Sequence, residues 1–425
     1  VLAIVAWQFL CPAPPVLSEQ ADYGPSPELV EPHRTLVPIV RPAQAVGWPA
    51  GEMPSPAEGL QVNAFVSGLD HPRWLYVLPN GDVLVAESNA PEGSGLCSDF
   101  KNFAAGVVLN FSGARTPSAD RITLHRDTDG DGAADESHVF AAGLHSPFGM
   151  ALLDGHLYVA NADVLLKFPY AAGQTTLTAS PVVVAKLPAG RNHHWTKNIL
   201  PTSDGRGLFI TVGSNSNVGE CGPEAEEGRA AIHRLDIESG DLELFAHGLR
   251  NPVGMAMEPS TKTLWTAVNE RDELGSDLVP DYATSVSQGD FFGWPYVYFG
   301  DKPQPDLDDR WPDSHPAARI PDYALGAHTA SLDLEFSYDS ALPARWRNGL
   351  FVSQHGSWNR EPVSGYRVIY IPFENGEPNG EPEELVGGFL DVEGQARGRP
   401  AGMAIDGTGA LLIADDVGNV VWRVK

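Results

Sequence analysis

Two adjacent histidines beside an aromatic, His193-His194-Trp195, mark the stretch of this 425-residue chain best suited to proton chemistry. They stand near the start of RNHHWTKNILPTSDGRGLFITVGSNSN, residues 191–217. The stretch reads as a short apolar strand, a Ser-Asp-Gly turn and a second strand, LFITVG, ending in a polar loop. Neighbouring residues on an extended chain point to opposite faces, so only one of the pair can look into a given pocket. An imidazole held at a strand start, beside polar loop ends, is placed as a general base would be. Taken alone, the pair also fits a strand cap or a bond to a neighbouring loop.

Other groups bear charge chemistry. Residues 127–135, DTDGDGAAD, have the form DxDxDGxxD, with Asp127, Asp129, Asp131 and Asp135 around Gly132. Carboxylates at positions 1, 3 and 5 and a glycine at 6 wrap the oxygen-rich shell of calcium. A full loop of that type needs Glu at position 12, where His138 stands. Asp135 or a ligand from elsewhere must then close the site; a solvated acidic turn is the alternative. Arginines gather in LRNPVG (Arg250), HGSWNR (Arg360) and QARGRP (Arg397, Arg399). Each one reads as a surface ion pair when taken singly. As a group on one channel they need nearby carboxylates or a planar polyanion held by bidentate guanidinium forks. NERDELGSDLVPDY, from Asn269, offers carbonyls and carboxylates to a second calcium, and Trp195, Trp294 and Trp358 could stack on a ring or simply fill core.

The elements that must position these groups recur. A Gly-containing turn, a Pro or small residue, an apolar strand, an Asp/Gly/Asn turn and a second strand xLxVA repeat from Gly68, Gly143, His193, Gly248, His328 and Gly398. Six degenerate copies about 50 to 80 residues apart point to radial repetition: an all-β, six-bladed β-propeller. Each copy supplies the inner two strands of a blade and the intervening sequence the outer two. His71, His145, His194, Arg250, His328 and Arg399 then meet on one rim. No run supports a long amphipathic helix. Residues 1–58 read as an apolar segment and Pro-rich linker, and residues 59–425 as the propeller.

The formal charge of −27 argues against nucleic acid and an anionic membrane surface as partners. Cys11, Cys97 and Cys221 have no zinc-type spacing. Cys97 and Cys221 lie in Gly-rich polar loops, and a bridge between them fits an oxidising compartment, although spacing leaves the pairing open. VLAIVAWQFL at residues 1–10 is too short to span a bilayer but fits the remnant of a signal or anchor. Export to a periplasmic or secreted location is the expectation.

HHWTKNI, TVGSNSN, GLRNPVGMA, NERDELGSDLVPDY, FGWPYV, HTASLDL, HGSWNR and GRPAGMA, in that order from about residue 60 onward, resemble the sorbosone dehydrogenase family. The soluble quinoprotein glucose dehydrogenases are similar more distantly. The resemblance implies pyrroloquinoline quinone (PQQ) and calcium at the top of the channel, oxidation of an aldose or aldehydic sugar, and electrons passed to an external acceptor, a cytochrome, quinone or dye. It places the catalytic histidine on His194, where the glucose enzymes have Asp instead of His193 before it. It places contacts to the quinone on Arg250, Asn251, Arg397 and Arg399, and also on Arg360, His145 and Thr329. The carbonyls of Glu270 and Arg271 would hold the cofactor's calcium, where the glucose enzymes have Gly-Pro. Two rival readings stay open: a calcium-dependent propeller lactonase or other hydrolase, and a non-catalytic binding propeller.

Overall fold

Each repeat folds as an antiparallel hairpin, and the sequence between repeats adds strands to its outer side. In this computed structural model, residues 16–18, 20–34, 39–95, 97, 116–305, 307 and 316–425 are described. Blade 1 comprises Pro72–Val77, Val83–Glu87, Arg121–Arg126 and Glu136–Ala142. Blade 2 comprises Met150–Leu153, His156–Ala160, Val164–Pro169 and Val182–Lys186. Blade 3 comprises Ile199–Pro201, Gly207–Val212, Ala231–Asp236 and Leu242–His247. Blade 4 is built from Pro252–Met257, Leu264–Val268, Pro280–Val286 and Tyr323–Ala327. Blade 5 is built from Ser331–Phe336, Gly349–Gln354, Arg367–Glu374 and Glu383–Gly387.

Blade 6 closes the ring. After its third strand, Val420–Val424, the sequence given holds one further residue, and the outer position is filled by Val62–Ser67 from the other end of the chain. Its inner strands are Pro400–Ile405 and Leu411–Asp415. Pairing the two ends of the chain within one sheet locks the circle with backbone hydrogen bonds. The innermost strands touch in cyclic order, blade 1 against 2 and so on to blade 6 against 1.

Second strands such as Val83–Glu87 and Gly349–Gln354 are buried along their whole length, which explains their unbroken apolar runs. Between blades 4 and 5, Trp265, Tyr323, Leu350 and Ile369 pack face to face. All innermost strands run the same way, so the residues just before them share one end, here called the top. His71, His145, His194, Arg250, His328 and Arg399 all lie there.

The described part of residues 16–58 packs on blades 4 to 6. Tyr23–Gly24 adds to the edge of blade 4 and Ser55–Pro56 to that of blade 5. Between them the chain crosses the top, bonding Asn359, the Trp358 carbonyl and the Ala396 backbone. Among the described residues no helix is long and apolar enough to cross a membrane. Cys11 and the apolar run 1–10 lie outside the described residues.

Candidate active site

His194 is held where the turn before blade 3 meets the end of that blade's second strand. Its amide donates to the Ser214 carbonyl at 3.3 Å. Its Nδ1 lies 3.0 Å from the same oxygen and 2.9 Å from Ser214 Oγ. Ser214 Oγ donates its own proton to the Ser216 carbonyl at 2.7 Å, so toward the ring it acts as an acceptor. Nδ1 therefore carries the hydrogen, and Nε2 keeps a lone pair. Burial, then His193 and Arg250, hold the imidazole well below its usual pKa. His193, whose ring stacks edge-on 4.5 Å away, is pushed down to about 4 by burial and by Arg250. A neutral imidazole with one fixed tautomer, and with no hydrogen bond to Nε2 among the described residues, has the form a general base requires.

Gly213 decides how close the neighbours come. A Cβ there would lie 2.3 Å from Asn251 Oδ1 and 2.5 Å from His194 Cβ, so no other residue fits between them. Asn251 Oδ1 is buried and finds no partner among the described residues.

Arg250 reaches this corner from the head of blade 4 but spends its hydrogens on loops. Nε donates to the Asn217 carbonyl at 2.8 Å and Nη2 to Asn217 Oδ1 at 2.5 Å. Nη1 donates to the carbonyls of Asn269 (3.1 Å) and Glu270 (2.7 Å). The guanidinium lies 5.6 Å over the Trp294 ring. Burial pushes the Glu270 carboxyl up to about 7. The adjoining Arg271 is fully buried, with Nη1 on Gln304 Oε1 at 2.6 Å.

Blades 5, 6 and 1 face blade 3 across the ring, and their tops form a basic cluster around one carboxylate. Asp416 Oδ2 accepts from Arg73 Nη1 and, at 2.8 Å, from His355 Nε2. His71 Nδ1 is bonded to the Asp416 carbonyl at 3.1 Å. Burial opposes the Asp416 charge, but its basic neighbours outweigh it and hold the carboxyl well below its usual range. Arg73 is the permanent cation of the group, since burial pushes His355 to about 4 and His71 downward.

Arg399 lies beside this cluster, its amide on Asp415 Oδ1 (2.8 Å) and its Nη2 on Tyr366 Oη (2.9 Å). The Nε hydrogens of both Arg73 and Arg399 are buried without an acceptor among the described residues. An orphaned buried donor costs about 1–3 kcal/mol, and two of them stand on this rim. Arg73, His355 and Asp416 were missed in the sequence. The local signals were a basic residue after HP in the first repeat, the histidine that opens HGSWNR and the doubled Asp of the last repeat.

The remaining expected contacts are committed elsewhere. Arg397 pairs with Glu52 of the crossing segment at 2.5 Å, and Arg360 donates to the Ser276 carbonyl (2.6 Å) beside Asp277 and Asp22. Thr329 is fully buried, its hydroxyl 3.1 Å from Asp281 Oδ2 and 2.9 Å from Ser331 Oγ. His145 is half-exposed and faces Asp163 at 3.0 Å. His328 bonds Asp272 and the Gly275 carbonyl. Trp195 is core, edge-on to Phe148 at 5.7 Å. Cys97 and Cys221 are bridged, tying the top of blade 1 to that of blade 3.

The acidic loop lies at the opposite end. There Asp127, Asp129 and Asp135 bring carboxylate oxygens within 4.8 Å of one another, while Asp131 is outside that group and caps Ala133. The channel's lower half is a cavity of about 600 Å³ lined by Trp74, Met150, Asn198, Met255, Asp333 and Met403.

Fold and site define a six-bladed propeller whose channel mouth sets a neutral histidine opposite buried guanidinium groups. The chain belongs to the TrAA12-like family, which it matches over residues 120–285 and 276–425. It is 26% identical over 299 residues to an uncharacterized protein of Borreliella burgdorferi, covering 68% of this chain and 77% of that protein. It is 25% identical over 360 residues to a pyrroloquinoline quinone-dependent pyranose dehydrogenase of Coprinopsis cinerea. That match covers 74% of this chain but 44% of the fungal protein, so the chain spans less than half of that relative's length. Among solved structures, the holo PQQ domain of the Coprinopsis cinerea pyranose dehydrogenase superposes with a TM-score of 0.67 at 20% identity, covering 88% of this chain and 97% of that one. The calcium structure of the Trichoderma reesei AA12 enzyme gives 0.67 at 17%, covering 92% and 98%.

Proposed function

We propose that the chain is a PQQ-dependent dehydrogenase that oxidises an aldose or aldehydic sugar and hands the electrons to an external acceptor outside the cytoplasm. The observation that carries the reading is the neutral His194, with Nε2 free, across the ring from the orphaned Nε hydrogens of Arg73 and Arg399. The activity for which the fungal relative is named supports it.

The residues present fit the cofactor. Arg73 and Arg399 would hold its carboxylates, because their unpaired donors call for acceptors, and Asn251 would lie beside it near Gly213. Pyrroloquinoline quinone, when bound, supplies the hydride acceptor. His194 Nε2 takes the hydroxyl proton of the sugar, so that the carbon bearing it can give up hydride. Ser214 fixes the ring in the tautomer this needs, and Gly213 fixes its distance from Asn251.

Calcium belongs to the proposal at two places. Asp127, Asp129 and Asp135 would hold a structural ion far from the chemistry. The carbonyls of Glu270 and Arg271 would hold a second, with the Glu270 oxygen also accepting from Arg250 Nη1. Among the described residues, the carboxylate group suited to a metal lies at the end opposite the channel mouth.

Reconstitution with PQQ and calcium, followed by a dye-reduction screen over aldoses and sorbosone, tests the reading. Sugar-dependent dye reduction is expected. A protein that takes up no cofactor and reduces no dye would leave the binding propeller as the better description.

A further inference from the structure

Two buried basic side chains stand behind the histidine turn, each hydrogen-bonded to uncharged groups. Lys197 is 0% exposed and Arg229 5%. Lys197 Nζ donates to Asn192 Oδ1 at 3.1 Å and to the Trp195 carbonyl at 3.0 Å. Arg229 donates from Nη1 to the Gly213 carbonyl (3.1 Å) and from Nη2 to the carbonyls of Pro188 (3.1 Å) and Ala189 (2.9 Å) and to Asn192 Oδ1 (2.8 Å). Asn192 is thus shared by both cations, and its Nδ2 reaches the Ala162 carbonyl of blade 2 at 2.9 Å.

We propose that Arg229 and Lys197 are positioning residues for His194. They bolt the 188–195 turn, which carries the imidazole, to the Gly213 strand end, which orients it. The inference rests on the reading of His194 as the base.

Burying a basic side chain is costly: desolvation outweighs Glu226 beside Arg229 and Asp163 beside Lys197 and lowers both pKa values, and a core that needed only volume would use apolar side chains here. What the charges add is reach. One planar guanidinium serves three carbonyls and an amide oxygen from two segments at once, which no apolar residue does. Glu226, three residues before Arg229, completes the frame by accepting from the Asn215 amide at 2.8 Å and from Ser216 Oγ. The loop bearing Ser214 is therefore gripped on both sides of the residue that sets the His194 tautomer. A second effect follows from the charge. Positive groups behind the ring disfavour its protonation. The titratable and charged groups around it are His193 on its own turn, Arg250 from blade 4 and Arg229 from blade 3. Glu220, Asp272 and Arg191 surround His193, and Glu226 lies beside Arg229.

The test compares Arg229→Lys, Arg229→Met and Lys197→Met by NMR titration of the imidazoles in the full-length, cofactor-free protein. The reconstituted variants are then read as kcat and KM profiles against pH. The expected result is a His194 titration midpoint raised by about half a pH unit or more in Arg229→Met. Its turnover should fall by about tenfold or more with KM little changed. Arg229→Lys should keep the midpoint low but lose turnover, since it keeps the charge and not the fork. If Arg229→Met does not fold, Lys197→Met serves, with the Trp195 and Asn192 bonds removed. An unchanged midpoint together with unchanged turnover in either folded Met variant overturns the proposal. Undiminished turnover in His194→Ala would instead remove the base reading, while leaving the NMR result to judge the positioning role.

Discussion

The Glu270 carbonyl accepts a 2.7 Å hydrogen bond from Arg250 Nη1. A guanidinium thus faces the oxygen that the family resemblance assigns to a cation. The oxygen has two lone pairs, but a guanidinium and a calcium ion on the same atom repel each other. Arg250→Ala is therefore expected to tighten calcium binding at this loop while loosening the 217 and 269 turns that Arg250 ties together. Calorimetric calcium titration of Arg250→Ala beside the parent protein checks it; weaker binding in the variant would mean that Arg250 supports the site.

His194→Ala should leave cofactor uptake nearly unchanged and lower turnover by about two to four decades. Because burial, His193 and Arg250 keep the imidazole pKa well under 6.5, the base form is already complete at neutral pH. The profile of kcat/KM is expected to show no acid limb near pH 6.5. A limb there that vanishes in His194→Ala would place the His194 pKa at the ordinary value.

Gly213→Ala inserts a methyl where 2.3 Å separates the new carbon from Asn251 Oδ1. His194 or Asn251 must move, and a displacement of that size at a reacting group costs about tenfold to a hundredfold in rate. Steady-state kinetics with a thermal melt in parallel separate this from simple unfolding.

Arg399→Lys retains charge but loses the planar fork and its stacking on Tyr366, 5.1 Å away. Cofactor affinity, read by equilibrium dialysis of the quinone, should fall about tenfold to a hundredfold. Arg397→Lys should fall less, because Arg397 is already paired with Glu52.

Glu335 gives a stability signature. Burial, and secondarily Asp339, push it from 4.5 to about 7, so between those values the folded chain holds a proton that the unfolded chain has lost. Stability from this group therefore declines as pH rises through that window. Denaturant midpoints from pH 4.5 to 7.5 should show a shallower decline in Glu335→Gln; an identical slope would exclude Glu335 as a source.

The repeat was legible because its cause is local. Every blade needs the same turn chemistry and the same two apolar runs, so Gly68, Gly143, Gly248 and Gly398 announce the fold without reference to one another. His194, Arg250 and Arg399 were legible as rim residues for the same reason, since each sits at a fixed place in its repeat, whereas Asn251 was a candidate only through the family resemblance. The acidic loop was legible as a motif of contiguous residues. Even so, which of its carboxylates converge was settled by the backbone, which turned Asp131 away.

What the chain's order alone determined is thus the all-β ring and the shared rim on which its candidate histidines and arginines stand. Pairing across distance belongs to the tertiary structure. Glu52 claims Arg397 from some 340 positions away, Asp416 draws in Arg73 and His355 from two other blades, and Val62–Ser67 completes blade 6. These choices rest on which side chains meet once the ring closes, and on which buried donors are left unsatisfied when they do. Local propensity carries no term for either.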